Sequence, residues 1–262
     1  MTTRLTNSDI VYKQKVANSF SRAAHSYDQY AVFQEQVLTQ LIEWYFPVMD
    51  QRWLDLGTGT GRALSVLNGQ QVVGLDLSFS MLHKARQRVP SAAFVCADAE
   101  ALPFANSIFD GVMSSLAIQW CLTPSRLFSE LFRVLNDQGQ VLVSTLVSGS
   151  MPELSQAWQG VDGRSHHNHY PSMAKILDDC KAAGFIIQRA QQHTMTVHYP
   201  TVKEAVYSLK KVGASVVMED SSVISPSKWK AFELQYKQLQ TPLGIPLSYE
   251  VAFIQLTKVD HG

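Results

Sequence analysis

Three glycines at alternate positions, Gly57, Gly59 and Gly61, follow closely on an acid, Asp55, in the stretch Trp53-Leu54-Asp55-Leu56-Gly57-Thr58-Gly59-Thr60-Gly61. The bulky residues before the glycines read as the end of a buried strand. Arg62-Ala63-Leu64-Ser65-Val66-Leu67, after them, reads as a helix. Strand, glycine turn and helix bring a ligand against bare backbone. Side chains at 57, 59 and 61 would occupy the ligand's space, and glycine reaches backbone angles other residues avoid. The helix start adds free N–H groups and a positive dipole end. Spacing then selects the ligand. A dinucleotide site wants G-x-G-x-x-G, whereas here the third glycine of that fingerprint is missing. An acid two residues before the first glycine disfavours phosphate and suits an ammonium group. Taken alone, the motif could equally be a tight strand-to-helix turn without a ligand.

More acids stand at expected strand tips. Asp76 ends the strand-like run Gln71–Asp76 and is followed by Leu77. A carboxylate there can accept from both hydroxyls of a ribose, as the acid about 20 residues after the glycines does in dinucleotide enzymes. It therefore supports a ribose-bearing ligand without naming it, and a cap or turn is its ordinary alternative. Asp98 could accept from an adenine amino group while Ala99 offers its N–H; the plain alternative is an Asx turn. Ser114 and Ser115 close a further strand. His166, His167 and His169 invite a metal, but adjacent His do not share a helical face and no fourth ligand stands at standard spacing. A loop roofing an acceptor site is the expectation there. Arg133 is expected in surface or helix-end pairing rather than in chemistry.

The elements needed to hold these residues follow from periodicity. Helices are expected over 8–20 and 29–46, joined by 19–28, with Tyr27 as a half-buried packing residue. After the first strand and its glycine turn comes a helix capped by Ser78, with Met81, Leu82, Ala85 and Val89 inward and Pro90 stopping it. Strands follow at 92–98, 109–115 and 140–147. Thr123-Pro124 starts the helix between the last two, with Leu127, Phe128, Leu131, Val134 and Leu135 as its core face. Residues 148–171 read as loop, 172–183 as a helix, 185–197 as a sixth strand, 201–240 as helical with a turn near Gly213 and Pro226, and 249–256 as the last strand. Alternating strands and helices from 53 to 147 imply an α/β, doubly wound parallel sheet, whose ligands lie at the carboxyl ends of its strands.

Composition sets bounds. The 262 residues are 46% apolar, enough for one large core, and the formal net charge is zero. No global basic field exists, which argues against nucleic acid as the main partner. The three cysteines, Cys96, Cys121 and Cys180, form no C-x-x-C pair, so neither zinc nor a disulfide framework is expected. No signal-like apolar run opens the chain and none approaches the ~20 residues of a membrane span. A soluble cytoplasmic protein with no membrane partner is the expectation.

The Asp55–Gly61 motif, Asp76, and Asp98-Ala99-Glu100-x-Leu102-Pro103-Phe104, in this order, resemble the class I methyltransferases that use S-adenosylmethionine (SAM). A narrower resemblance spans nearly the whole chain. Ser19-Phe20-Ser21-Arg22-Ala23-Ala24, Ser115-Leu116-Ala117-Ile118-Gln119-Trp120-Cys121, Gly149-Ser150-Met151-Pro152-Glu153-Leu154 and Ser208–Ala214 are similar to the malonyl-[acyl-carrier protein] O-methyltransferases of biotin synthesis. Departures are Thr58, where relatives usually have Cys, and Lys211 and Val212, where they often have Gly and Ile.

The resemblance implies a Rossmann-like seven-stranded sheet with its last strand antiparallel and a helical cap between the last two strands. It divides one domain into N-terminal helices or lid (1–47), SAM-binding core (48–200), cap (201–240) and last strand (241–262). It implies SAM as cofactor, S-adenosylhomocysteine as product and no metal. It places Asp55, Gly57, Gly59, Gly61, Asp76, Leu77, Met81, Asp98, Ala99 and Ser115 around SAM, and Tyr27, Gln119 and Trp120 at methyl transfer. Arg22 and Lys210 are the candidates to hold the malonyl carboxylate. The implied partner is an acyl-carrier protein bearing malonyl-phosphopantetheine, or malonyl-coenzyme A. Carrier proteins are acidic, and 201–240 holds Lys203, Lys210, Lys211, Lys228, Lys230 and Lys237 against Glu204, Glu219, Asp220 and Glu233. That face is the expected docking side. Alternatives are a methyltransferase for a small molecule or quinone precursor, an NAD-dependent oxidoreductase and a catalytically silent SAM-binding protein.

Overall fold

The structure, a computed structural model, describes residues 6–48, 50–67, 71–164, 166, 168–214 and 224–259. Seven strands form one sheet: β1 (Arg52–Leu56), β2 (Gln71–Asp76), β3 (Ala93–Cys96), β4 (Phe109–Ser115), β5 (Leu135–Leu146), β6 (Phe185–Tyr199) and β7 (Ile245–Lys258), in the order β3-β2-β1-β4-β5-β7-β6. The first five are parallel, and β7 lies antiparallel between β5 and β6. Strand order reverses where β1 sits between β2 and β4, which is where such sheets open a crevice.

Both faces of the sheet are covered, so its central strands are rich in apolar residues on both sides. Trp53, Met113, Leu142 and Phe253 point to one side, with Phe33, Val37 and Leu41 of a helix at Val32–Ile42 packed on them. Leu54, Val112, Val141, Val143 and Ile254 point to the other, against Leu127, Phe128 and Leu131 of a helix at Pro124–Val134. The alternation along each strand follows the two-residue pleat.

The helices are α1 (Asn7–Ala23), α2 (Tyr27–Tyr30), α3 (Val32–Ile42), α4 (Arg62–Val66), α5 (Phe79–Arg88), α6 (Pro124–Val134), α7 (Pro152–Gln159), α8 (Met173–Ala182), α9 (Val202–Lys211) and α10 (Pro226–Lys237). Thr6 and Asp9 close α1 with a capping box, and Ser78, Ser172, Thr201 and Ser225 cap α5, α8, α9 and α10. The cap helices α9 and α10 lie between β6 and β7 in the chain, as the sequence implies.

Several boundaries differ from the sequence reading. The first helix runs on to Ala23, because no breaker stands between Ser19 and Ala24. The expected long second helix is split at Ala31, whose φ of −84° and ψ of 36° are not helical, and it stops at Ile42. α7 occupies part of the stretch read as loop. Pro152 fits its first turn, and Leu154, Ala157 and Trp158 are buried. The fifth strand begins at Leu135: Phe109 pairs with Leu135 and Gly111 with Gln140, so 136–139 bulge out, with Gln138 at φ 62°. Arg133 holds the edge beneath the site by donating to the carbonyls of Leu102 and Phe104 at 3.0 and 2.7 Å while pairing with Glu130.

Candidate active site

A cleft of about 840 Å³, open to solvent, lies at the carboxyl ends of β1, β2 and β4 under α1. The glycine turn is its floor. The N–H groups of Gly57 and Thr58 both donate to the Leu75 carbonyl, at 2.8 and 2.9 Å, tying the turn to β2. The three glycines do different work, contrary to the expectation that all three clear space for a ligand. At Gly57 (φ 73°) a Cβ would stand 2.2 Å from the Ala117 Cβ, so this glycine admits the loop after β4. At Gly61 (φ 83°) a Cβ would meet Ala85 of α5 at 3.0 Å; it serves helix packing and does not line the cleft. Only at Gly59 (φ 53°) does an added Cβ find nothing within 4 Å, so only there does bare backbone face open space.

Asp55 is not on the cleft surface either. It lies beneath the turn, 1% exposed, and accepts a 2.5 Å hydrogen bond from the Thr58 hydroxyl. Burial, with the Asp76 charge adding to it, pushes its carboxyl up to about 7 against the pull of the Thr58 bond. Its contact is with the turn, which it positions.

Asp76, by contrast, lines the cleft, with Leu77, Ser78 and Met81 beside it. Gly59 N–H donates to one carboxylate oxygen at 2.9 Å and Ser78 N–H to the other at 2.7 Å. Burial raises its pKa, and these backbone donors work against the rise. Each oxygen is fixed in place with acceptor capacity left over.

Asp98 and Ala99 line the far end. There the structure adds a residue that sequence reasoning passed over. Lys13 of α1 pairs with Asp98 and, at 2.5 Å, with Glu100, and its side chain is 10% exposed. Glu100 in turn accepts from the N–H groups of Leu122 and Thr123 at 3.1 and 2.6 Å. Burial disfavours the Lys13 charge, but the two carboxylates more than offset this and raise its pKa. The signal was available: Lys13 shares a helix face with Val16 and Phe20, a cation on an apolar stripe.

Tyr27 and Trp120 form the boundary to a second cavity, of about 470 Å³, and line both spaces together with Phe20 and Leu116. Phe20 meets Trp120 edge-on at 5.4 Å. Burial, with Asp76 nearby, raises the Tyr27 pKa, so its hydroxyl stays protonated. Gln119 lines only the second cavity, and its amide oxygen accepts from Thr145 at 3.2 Å. Ser115 lines the first and accepts from Ser144 at 3.1 Å. Beside the cleft, Asp28 gathers Thr60, Arg62 and Arg88 and so pins α2 to the glycine turn.

The two cations expected to hold a carboxylate are elsewhere. Arg22 and Lys210 are exposed and line neither cavity. Arg22 follows Lys13 by nine residues, about half a turn out of phase on α1. On α9 it is Leu209, not Lys210, that reaches the second cavity. Of the His cluster, the His166 ring lies tilted against Trp158 at 3.9 Å and meets Asp162 at 3.1 Å, while His167 lies outside the described residues. No group of three His, Cys, Asp or Glu side chains among the described residues could hold a metal ion.

Comparisons agree with this geometry. Residues 54–143 match the family model described as a methyltransferase domain. Over 255 residues the chain is 45% identical to a malonyl-[acyl-carrier protein] O-methyltransferase of Marinomonas sp. (strain MWYL1), covering 94% of each protein. The chain belongs to the malonyl-[acyl-carrier protein] O-methyltransferase family. It is also 37% identical, over 95% of its length, to a biotin biosynthesis bifunctional protein of Cellvibrio japonicus (strain Ueda107), of which it covers 51%. Among solved structures, a phosphoethanolamine N-methyltransferase of Haemonchus contortus in complex with S-adenosyl-L-methionine shares the fold. Its TM-score is 0.59 at 22% identity, over 92% of this chain and 57% of that one.

Proposed function

We propose that the protein methylates the free carboxylate of a malonyl thioester carried on acyl-carrier protein, using SAM and releasing S-adenosylhomocysteine. The observation that carries this reading is the pair of cavities meeting at Tyr27 and Trp120, in a chain whose family is defined by that reaction. The residues suit SAM. Bare backbone at Gly59 faces the cleft, and the Asp76 carboxylate is locked by two N–H groups with acceptor capacity to spare. Asp76 takes the ribose hydroxyls, and Leu77 and Met81 form an apolar wall beside the base. Asp98 and Ala99 present an acceptor and an N–H at the adenine edge. Gly57, Gly59 and Ser115 border the methionine end, with Asp55 and Gly61 fixing the turn from behind. SAM supplies the electrophilic methyl group.

The acceptor needs no base, because a carboxyl with a pKa near ~4 is already ionised at neutral pH. What the chain must supply is alignment and dryness. Tyr27, Gln119 and Trp120 hold the two reactants in line, and orientation of this kind is worth roughly 7–11 kcal/mol. The helices within 1–47 act as a lid, with Lys13, Val16 and Phe20 facing the cofactor, and 201–240 as a cap beside the acceptor. Lys203 and Lys210 lie exposed on α9 and suit an acidic carrier, whereas Lys228 is engaged with Asp162 at 2.9 Å. Glu219 and Asp220 lie outside the described residues. Malonyl-coenzyme A is the lesser substrate in this reading, since it lacks the carrier surface. The test is to incubate the protein with SAM and either malonyl-carrier protein or phenolic acceptors and to quantify S-adenosylhomocysteine. Release with the malonyl thioester alone supports the reading; release with phenols alone refutes it.

A further inference from the structure

In the reading above the second cavity takes the acceptor, and the polar side chains in its largely apolar lining are all uncharged. Its described lining contains no Lys, Arg, His, Asp or Glu. Residues 215–223, the stretch that follows Ala214 in the chain and lies outside the described residues, contain no basic residue in sequence. Neutral donors from separate elements converge instead: Gln34 of α3, Gln119 after β4, Tyr170 before α8 and Tyr249 of β7. The amide oxygen of Gln34 is buried with no hydrogen-bond partner. Amide oxygen and nitrogen are assigned by their partners, so Gln34 offers an unspent amide at the cavity. Neither Tyr170 nor Tyr249 gives its hydroxyl to a partner among the described residues, and burial raises both pKa values, which keeps them O–H donors. Buried polar groups are nearly always paired, so the unpaired Gln34 amide at a cavity that Tyr170, Tyr249 and Gln119 also line points to a ligand that pairs it.

We propose that Gln34, Tyr170 and Tyr249, with Gln119, form the carboxylate-recognition site of the acceptor, which holds the malonyl carboxylate by neutral hydrogen bonds and not by an ion pair. This rests on the acceptor reading above. In the transfer, a carboxylate lone pair forms the new O–CH₃ bond while the C–S bond breaks and its electrons return to sulfur. Carboxylate and sulfonium charges vanish together and no proton moves. A guanidinium bound to the carboxylate would interact most strongly with the ground state, and such an interaction lost on the way to the transition state slows the step. Hydroxyl and amide donors lose less, and they also bond the neutral ester oxygens. The same donors supply selectivity. An acetyl thioester has no carboxylate and would leave them unpaired in a buried site, which is how such sites reject an analogue.

The experiment compares wild type with Gln34→Met, Tyr170→Phe and Tyr249→Phe, all close in shape to the residues they replace; the Tyr249 ring stacks on Phe33 at 3.8 Å and Phe preserves that contact. Steady-state constants are measured on malonyl-carrier protein and on a small malonyl thioester, and SAM affinity by calorimetry. The expected result is a rise in KM for both malonyl acceptors of about tenfold per lost neutral bond, larger than the fall in kcat, with SAM affinity kept. The small acceptor's kcat/KM should barely change with ionic strength. Variants that bind SAM normally and keep wild-type KM overturn the donor site while leaving the activity in place. A wild type that does not methylate malonyl thioesters overturns both. If one variant fails to bind SAM, the other two decide.

Discussion

Lys13, on the first helix, spans the cofactor cleft to the Asp98 carboxylate beyond β3 and holds Glu100 with the same ammonium. The first helix is thus tied to the Asp98 end of the cleft. Glu100 is 2% exposed and Asp98 22% exposed at the side chain, so losing the lysine strands at least one buried charge. Lys13→Met should cost about 3 kcal/mol of stability near neutral pH, the low end for breaking a buried ion pair. It should also weaken SAM binding, because α1 loses its anchor. Urea titrations with and without SAM check this; stability and affinity both equal to wild type would remove Lys13 from the account.

Asp55 makes stability depend on pH in a particular direction. Its folded pKa is raised from 3.8 to about 7, so between these values the folded chain holds a proton that the unfolded chain has lost. Its stabilising contribution is therefore complete below about 4 and declines as pH rises to about 7. Asp55→Asn still accepts from Thr58 but cannot ionise. Relative to wild type it should gain stability between pH 5 and pH 7.5, as read from denaturant midpoints. Parallel pH profiles for the two proteins would contradict the raised value.

The glycines separate binding from folding. Gly59→Ala should cost only the roughly 1–2 kcal/mol of a left-handed non-glycine residue, since its Cβ meets no atom within 4 Å. It should nonetheless abolish most SAM affinity. Gly61→Ala carries similar strain and also presses on Ala85 at 3.0 Å, so it should lower the melting temperature further. Paired calorimetry and thermal melts give the comparison; the reverse order of stabilities would sink it.

The sequence made the sheet and the acids at its strand tips legible because their information is local. Continuous apolar runs mark the parallel strands, Ser78 caps α5, and Asp76 stands at a strand tip beside its own turn. What escaped depends on how helices are rotated against neighbours. The phase of α1 turns Lys13 inward and Arg22 outward, and that of α9 turns Leu209 inward and Lys210 outward. α7 was hidden by the Gly149-Ser150-Met151-Pro152 run, which reads as a breaker although Pro152 begins the helix. Gln34, Tyr170 and Tyr249 come from distant parts of the chain and meet only once the sheet closes.

Carrier recognition should be electrostatic and separate from the pocket. Lys203 and Lys210 are exposed on α9, whereas Lys211 lies over the rings of Tyr30 and Tyr207 at 5.1 and 5.0 Å. The double change Lys203→Glu plus Lys210→Glu should raise KM for malonyl-carrier protein several-fold at low salt, and the defect should fade as salt screens the surface. A small malonyl thioester should be processed as by wild type. Equal impairment on both acceptors at every salt concentration would place these lysines in the pocket or the fold.

The most direct measurement of the central claim is where the methyl goes. With carbon-13-labelled SAM and malonyl-carrier protein, NMR distinguishes a methyl on the carboxylate oxygen from one on the central malonyl carbon. Carbon methylation needs a base to remove a proton, and no Asp, Glu, His or Lys is among the described residues lining the acceptor cavity. The account predicts an O-methyl ester resonance that grows in step with S-adenosylhomocysteine, while the thioester stays intact. A C-methyl product, or S-adenosylhomocysteine formed with no methyl on the carrier-bound acyl group, would contradict it.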